Sequence, residues 1–430
     1  MLKLKDFNVI RKHLKTSNGI NVVLFKSTNM PICFEINILA GSRYDLTGKD
    51  GTSHFLEHML LGGTKKFPTK DLIAMEIENL GGSIGAYTNM DTINIRVSLG
   101  DANDLEQSFI VISEMLNNSI FEDKTIENER SAILREIDMY KSGQNSIFRT
   151  IIPEMLYSGN VLSRETLGTS ETLKSISKND LIEFKNTHFH RENTSITIAG
   201  DVDEDVLKSL VEKYINLPIG ERKKFSDFIV TPRNKYIDFG FYKNENTSLR
   251  LKFKTVNLLH KDRYALSILA SILGGGRASV LHKILRYEKG FVYSVSAGIN
   301  SGVDRGDFEF STILKKENIQ ETLDVFKQEI KKLALNGPTE EQLQFIKNKI
   351  LKSAKLKYQS CFDWVEAHSS RNIFFPDLDW TIEENFKEIE NTTIADIKRV
   401  AGIYFNNDNW YLALSGPLDK EFVDQLKIEF

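Results

Sequence analysis

Residues Gly51–Gly63 read GTSHFLEHMLLGG, and this stretch combines a helical pattern with residues that can bind a metal. Its apolar residues recur at helical spacing and a pair of glycines follows them, which predicts a helix over Ser53–Leu61. Thr52 or Ser53 is the expected N-cap residue, because a side-chain oxygen at that position can accept a hydrogen bond from the first turn.

On this helix, His54 and His58 are four residues apart and share a face with Glu57. Two imidazoles one turn apart can bind one Zn²⁺, and a carboxylate between them can take a proton from a metal-bound water. The order His-x-x-Glu-His is the inverzincin motif. The alternative is an ordinary amphipathic helix that carries two surface histidines.

Working outward from this helix, each half of the chain alternates strand-like and helix-like patterns. The predicted strands are Ile20–Phe25, Cys33–Ala40, Thr92–Leu99, Ser195–Ala199, Ser248–Lys254, Tyr293–Ala297, Asp307–Thr312 and Tyr411–Leu414. The other predicted helices are Thr69–Leu80, Leu105–Asn117, Asp123–Tyr140, Arg263–Leu273, Ala278–Glu288, Ile319–Leu335 and Thr339–Tyr358.

The second half repeats the order of the first, and Tyr264–Gly276 (YALSILASILGGG) corresponds to the motif helix. The predicted fold class is therefore α+β, with two homologous domains from an internal duplication. Each domain is expected to be a mostly antiparallel sheet with helices packed on one side. We predict domains at residues 1–220 and 221–430, joined in the polar stretch Leu217–Asn234. The second copy has no histidine at the corresponding positions, so one metal ion per chain is expected.

The composition excludes several classes of protein. The chain has 430 residues, of which 41% are hydrophobic and 27% charged, and its formal net charge is −3. It therefore lacks the basic surface typical of proteins that bind nucleic acid or anionic membranes. No apolar run approaches the length of a membrane span, and the N-terminus does not resemble a signal peptide. Two cysteines far apart in sequence favour buried free thiols over a disulfide, and together these features predict a cytoplasmic protein.

Five segments of the chain resemble the pitrilysin/insulinase family of zinc metallopeptidases, and within it the short two-domain processing peptidases and their bacterial relatives. These segments are AGSRYD at Ala40–Asp45, HFLEHMLLGGTKKFP at His54–Pro68, LGGSIGAYT at Leu80–Thr88, NERSAILREID at Asn128–Asp138 and LHKILRYEKGFVYSV at Leu281–Val295.

The resemblance implies the remaining residues of the site. It makes Glu136 the third zinc ligand, alongside the two histidines, with Glu129 as a nearby carboxylate that orients a ligand. It makes Arg286 and Tyr293 a pair that holds the substrate and stabilises the oxyanion. Without the resemblance, the two glutamates read as solvated helix residues, Arg286 as a surface charge and Tyr293 as a packed strand residue.

The resemblance also implies that substrate binds by strand addition to a sheet edge beside the metal. In this chain, that edge is formed by Ser83, Ile84, Gly85, Ala86 and Tyr87. Many relatives have asparagine where this chain has Gly85, so the substrate contact at that position is expected to differ.

The function implied is a zinc-dependent metalloendopeptidase acting on peptides or unfolded segments, with Glu57 as the general base and one Zn²⁺ per chain. Because the chain carries both the His-x-x-Glu-His motif and the Arg286/Tyr293 pair, a homodimer with two composite sites is expected. Two alternatives stay open. One is a maturation protease active only as a heterodimer with a degenerate partner subunit. The other is a non-catalytic relative with a structural or binding role.

Overall fold

The computed structural model describes residues 2–225, 236–378 and 380–430, and these form two β-sheets with helices packed against them. The strands are β1 (Ile10–Lys15), β2 (Asn21–Lys26), β3 (Ile32–Ile38), β4 (Ser83–Thr88), β5 (Ile93–Leu99), β6 (Thr194–Gly200), β7 (Ile237–Phe241), β8 (Thr247–Lys254), β9 (Val292–Ser301), β10 (Gly306–Leu314) and β11 (Tyr411–Gly416).

The α-helices of these described residues are α1 (Thr52–Leu61), α2 (Lys70–Glu78), α3 (Leu105–Asn117), α4 (Asp123–Lys141), α5 (Phe148–Tyr157), α6 (Ser170–Ser175), α7 (Lys178–His188), α8 (Glu204–Tyr214), α9 (Asp262–Gly274), α10 (Ile319–Asn336), α11 (Glu340–Lys357), α12 (Cys361–Phe374), α13 (Ile382–Asn391), α14 (Ile394–Tyr404) and α15 (Lys420–Asp424). None of them is long and apolar enough to cross a bilayer.

The two sheets share one topology. The first sheet has the strand order β1-β2-β6-β3-β5-β4, and the second has the order β7-β11-β8-β10-β9. Without β1, the two orders correspond strand for strand. Each sheet contains one parallel pair, β2 with β6 and β7 with β11, and its other pairs are antiparallel. The predicted α+β fold of two homologous, mostly antiparallel domains is confirmed.

Helices of its own half cover one face of the first sheet, as predicted, and a helix of the other half covers the opposite face. Helix α12 from the second half packs on the first sheet, where Trp364 and Val365 lie in one apolar cluster with Phe25 of β2 and Ala199 of β6. The reason is that β3 and β6 are buried along their whole length, so both of their faces need an apolar cover.

The exchange of helices is reciprocal. Helix α5 from the first half packs on the second sheet, where Phe148 and Ile151 share a cluster with Tyr411 and Ala413 of β11. By position in the repeated order, α5 and α12 are counterparts, since α5 follows α3 and α4 and α12 follows the corresponding pair α10 and α11. Each half therefore completes the core of the other with the same helix.

A buried network of four charged side chains also joins the halves. Arg43 donates to Asp304 at 2.7 Å and forms an ion pair with Asp91 at 2.8 Å. Arg305 binds the same two carboxylates at 2.8 Å to Asp91 and 3.1 Å to Asp304. Two cations and two anions balance, so no charge is left buried without a partner in this network.

The start of α1 differs from its sequence-based prediction. The N-cap position is Gly51 with φ of 96°, and neither Thr52 nor Ser53 caps the helix as predicted. Instead, the carboxylate of Asp45 accepts hydrogen bonds from the backbone N–H groups of Gly51 at 2.8 Å and Ser53 at 2.9 Å. A carboxylate at the positive end of the helix dipole satisfies these donors as well as a local cap would.

Other differences are local. The predicted helix Ala278–Glu288 is largely a π-helix over His282–Glu288. Residues 226–234 of the predicted join Leu217–Asn234 lie outside the described residues. The thiols of Cys33 and Cys361 are both free and buried, as predicted, but they contact each other across the two halves. The hydrogen bond to Cys361, together with burial, raises the pKa of the Cys33 thiol above its ordinary range.

Candidate metal centre

Three side chains from two helices converge at one point. The Nε2 atoms of His54 and His58 on α1 lie 3.7 and 3.8 Å from Oε2 of Glu136 on α4. One ligand atom from each residue lies within 4.8 Å of the other two. Within the part of the chain that the structure describes, this is the only group of three or more such side chains with that geometry.

The donor set fits a zinc ion. Tetrahedral coordination with bonds of about 2.1 Å separates neighbouring ligand atoms by roughly 3.4 Å. The two separations from Glu136 exceed this value by only a few tenths of an ångström, so small side-chain rotations suffice. Two imidazole nitrogens and one carboxylate oxygen are also the ligand types of a catalytic zinc site that keeps one position open.

Apolar packing holds the two helices in register. Helix α1 buries Phe55 and Met59 on the face opposite its histidines, and α4 buries Ile133 and Ile137 on either side of Glu136. These residues belong to one core cluster. The ligands therefore lie at the rim of a rigid core, where their positions are set by the packing beneath them.

Glu129 contacts His58 and is not itself one of the three clustered side chains. Its Oε2 lies 2.7 Å from Nδ1 of His58, and Lys70 lies 3.7 Å from its other oxygen. The hydrogen bond from His58, more than the charge of Lys70, lowers the pKa of Glu129. Because Nδ1 of His58 is engaged here, Nε2 is the nitrogen left to face a metal.

Glu57 lies beside the cluster in a desolvated position. Its side chain is buried, its Oε2 lies 3.9 Å from Nε2 of His54, and Thr88 donates a hydrogen bond to that oxygen at 3.1 Å. Burial raises the pKa of Glu57. A carboxylate whose pKa is moved toward neutrality is a better match for proton transfer at physiological pH.

His54 is neutral at physiological pH. Burial lowers its pKa to about 3, and His58 and Arg149 add smaller electrostatic contributions. A neutral imidazole is the form that can donate a lone pair to a metal ion.

Strand β4 lies at the open edge of the first sheet, next to α1. This strand contains the five predicted substrate-binding residues Ser83, Ile84, Gly85, Ala86 and Tyr87. A Cβ atom built at Gly85 would meet nothing within 4 Å. The Tyr87 hydroxyl donates to the buried carboxylate of Glu35 at 3.0 Å, and Arg96 donates to the same oxygen at 2.7 Å. The edge strand is thus held by the hydrogen bond from Tyr87 to Glu35, and no other strand of the described residues pairs with its outer edge.

Arg286 and Tyr293 come together with each other but not with the metal cluster. The guanidinium of Arg286 lies 4.4 Å from the centre of the Tyr293 ring and donates to the Tyr293 carbonyl oxygen. Tyr293 is 81% exposed. Within the described residues of this single chain, no hydrogen bond or ion pair joins either side chain to His54, His58 or Glu136.

Sequence reasoning missed Asp45, Thr88 and Arg149. Asp45 and Thr88 end two of the segments that carry the family resemblance, AGSRYD and LGGSIGAYT, but only the folded structure connects Asp45 to α1 and Thr88 to Glu57. Arg149 lies in none of the motifs, and the contribution of its charge to the lowered pKa of His54 depends on the folded structure.

Two family models match the chain. One is described as insulinase (peptidase family M16) and matches residues 22–170, and the other is described as the peptidase M16 inactive domain and matches residues 175–350. The second half carries no metal cluster within its described residues, in keeping with that second description.

The chain is also similar over its length to curated proteins. An uncharacterized zinc protease of Rickettsia bellii is 28% identical over 94% of this chain and 96% of that protein. The mitochondrial-processing peptidase subunit beta of Mus musculus is 24% identical, over 94% of this chain and 84% of that protein.

Solved structures share the fold. A protease from Helicobacter pylori superposes with a TM-score of 0.84 at 19% identity, covering 96% of this chain and 100% of the other. An M16 domain structure from Pseudomonas fluorescens gives the same TM-score, over 95% of this chain and 98% of the other. Matched by family models in both halves, the chain belongs to peptidase family M16, the insulinase family.

Proposed function

We propose that this protein is a zinc-dependent metalloendopeptidase that hydrolyses peptides or unfolded segments. One observation carries the proposal: His54, His58 and Glu136 converge within 4.8 Å of one another, with buried Glu57 beside them. The names of similar proteins, zinc protease and processing peptidase, support the same reaction.

One zinc ion per chain would be held by the two Nε2 atoms and the Glu136 carboxylate, and Glu129 would orient His58. When bound, zinc supplies Lewis-acid chemistry, because it polarises a carbonyl oxygen and lowers the pKa of a water ligand to about 7. Glu57 accepts the proton of the attacking water and later delivers it to the leaving amine. The hydrogen bond from Thr88 holds the Glu57 carboxylate in place for both transfers.

The substrate would lie as an added strand along β4. The backbone groups of Ser83, Gly85 and their neighbours on the outer side of this edge strand can pair with an extended peptide. The open space at Gly85 admits a bulky substrate side chain where a larger residue would contact it. An extended backbone is available in unfolded segments and short peptides, which defines the proposed substrate class.

The proposed assembly is a homodimer in which Arg286 and Tyr293 of one subunit complete the site of the other. The exposure of Tyr293, and the lack of any hydrogen bond or ion pair between this pair and the metal cluster among the described residues of one chain, support a site shared between subunits. A heterodimer with a related subunit is the alternative, and it is favoured by the relatives named as a beta subunit. The cytoplasmic location remains a prediction from the sequence.

The test is cleavage of a peptide library by purified protein, mapped by mass spectrometry. We expect cleavage that stops on adding a chelator and returns with zinc. Glu57→Gln, which removes no ligand, should stay inactive with zinc bound. Activity only after adding a second, related chain would support the partner-dependent maturation protease. Absence of cleavage under all these conditions, with full zinc occupancy, would favour the non-catalytic role.

A further inference from the structure

A cleft of about 440 Å³ opens next to the metal cluster, between the end of α4, the start of α5 and the segment 164–167. It adjoins the cluster on two sides. Tyr140, which lines the cleft, is one helical turn beyond Glu136 on α4. Leu167, which also lines it, packs against Gly51 at the start of the histidine-bearing helix, where an added Cβ would meet its carbonyl oxygen at 2.6 Å.

The cleft carries an excess of positive charge. Its charged lining residues are Lys141, Arg149, Arg164 and Glu165. The charge of Arg164 is balanced by the carboxylate of Asp50, which lies 3.3 Å away, and Arg164 also donates a hydrogen bond to the Thr47 hydroxyl. The Glu165 carboxylate already accepts a hydrogen bond from the Thr150 hydroxyl at 2.7 Å.

Among the described residues, Lys141 and Arg149 are the cations of this cleft that form no ion pair, and Arg149 is the one whose position an aromatic ring fixes. The Cζ atom of its guanidinium lies over the Tyr140 ring, 3.9 Å from the ring centre. In residues 2–225, 236–378 and 380–430, no carboxylate lies within ion-pair distance of it and no acceptor takes a hydrogen bond from its side chain. Stacking on a ring fixes the plane of a guanidinium and leaves its N–H edges available, which suits bidentate binding of a carboxylate.

Arg149 also lies close to the metal cluster, because the Tyr140 ring beneath its guanidinium is one helical turn beyond Glu136 on α4. The apolar side chains of Ile137 and Pro153 form part of the same wall and can contact methylene groups. A group bound here would therefore belong to a residue near the scissile bond.

We propose that this cleft is a substrate subsite in which Arg149 binds a carboxylate, so that the enzyme prefers peptides with that anion at a fixed position near the cleaved bond. The inference rests on the proposed peptidase function. The carboxylate has two sources, an Asp or Glu side chain of the substrate or the free C-terminus of a short peptide, and both present the same anion to the guanidinium.

The experiment compares matched peptides that differ at one position. Library cleavage first locates the position at which Asp and Glu are enriched. Peptides with Glu, Gln or Lys there are then made with free and with amidated C-termini, and kcat/KM is measured for the zinc-loaded enzyme. We expect the Glu peptide to exceed the Gln peptide by about tenfold, since a hydrogen bond to a charged group is worth at least that factor. If amidation alone abolishes the preference, the C-terminal carboxylate is the bound group.

Three variants test the role of Arg149. Arg149→Gln should reduce the ratio of kcat/KM for the Glu peptide to kcat/KM for the Gln peptide to about one. Arg149→Lys should retain part of the preference because it keeps the charge. Arg135→Gln removes an exposed cation from the same region of α4 but outside the cleft, so it should keep the full preference.

A binding assay separates this inference from the function on which it rests. Fluorescence anisotropy of the labelled Glu and Gln peptides with zinc-loaded Glu57→Gln protein, with and without Arg149→Gln, measures the subsite without turnover. Cleavage without an acidic preference, or a preference that survives Arg149→Gln, would overturn the subsite and leave the peptidase intact. If no peptide is cleaved, the proposed function fails, and the anisotropy difference alone then decides whether Arg149 binds carboxylates.

Discussion

Replacing Glu136 with glutamine tests the metal centre most directly, because Glu136 is the ligand contributed by a second helix. The substitution keeps the size of the side chain and removes its charge. The carboxylate oxygen that lies 3.7 and 3.8 Å from the Nε2 atoms of His54 and His58 is replaced by a neutral amide group, which is a weaker zinc ligand. A closed structural zinc site binds with about 10–16 kcal/mol over four ligands, or roughly 2.5–4 kcal/mol per ligand. We therefore expect zinc affinity to fall by about 10²–10³-fold.

Glu129→Gln provides the contrast. Its amide oxygen can still accept the hydrogen bond from Nδ1 of His58, which is 2.7 Å long in the native protein. Loss of a residue that orients a ligand costs about 10–100-fold in metal affinity, and the retained acceptor favours the lower end of this range. Glu127→Gln is the matched control, since Glu127 lies on the same helix with a side chain 67% exposed.

The assay is competition against a chromogenic zinc chelator, checked by elemental analysis of the protein after gel filtration. The expected order of zinc retention is wild type and Glu127→Gln first, Glu129→Gln next and Glu136→Gln last. Native affinity in Glu136→Gln, together with a loss of about 10²-fold or more in Glu129→Gln, would refute the ligand assignment. The melting temperatures of the metal-free variants should match that of the wild type, which excludes unfolding as the cause.

Three further predictions concern the base, the assembly and pH. Glu57→Gln should lower kcat by about 10²–10⁴-fold, because it removes the general base. Zinc content should not change, and the amide oxygen can still accept the hydrogen bond from Thr88. Native turnover in this variant would exclude Glu57 as the base. Mixing Glu57→Gln with Arg286→Ala under conditions of subunit exchange should restore activity if the composite site forms in trans, and a monomeric mass in solution would contradict the homodimer. Burial lowers the pKa of His368 to about 3 from an ordinary 6.5, so its contribution to stability is complete above pH 6.5 and is lost as the pH falls below it. At pH 5 this loss is about 2 kcal/mol, and in thermal melts between pH 7 and 5, His368→Phe should lose stability less steeply than the wild type.

The sequence predicted those parts of the fold that depend on local periodicity. Helix α3 has the predicted bounds Leu105–Asn117, and β10 and β8 lie within two residues of their predicted bounds. Strand β1 was missed because its sequence, IRKHLK, is mostly polar and lacks the alternating apolar residues of a buried strand. In the structure none of its residues is buried. Helices α5 and α12 were missed as well, although both are buried against the opposite half.

The candidate site likewise has a part that local spacing predicts and a part that depends on tertiary packing. His54, Glu57 and His58 follow from spacing on one helix, and the structure brings them together as expected. The contribution of Glu136 depends on how α4 packs against α1, which residue spacing does not determine and only the family resemblance indicated. The cap supplied by Asp45 also depends on the folded chain, because the five intervening residues must fold back before its carboxylate reaches Gly51.

The reciprocal exchange of α5 and α12 bears on how a duplicated gene could give this protein. A single ancestral unit would have left one face of its sheet, equivalent to the surface around Phe25 and Ala199, open to water. Such a unit would be stable only as a pair in which each copy covered the other, so joining two copies in one polypeptide preserved an existing contact. From the same contact we expect that either half expressed alone would expose an apolar sheet face and aggregate.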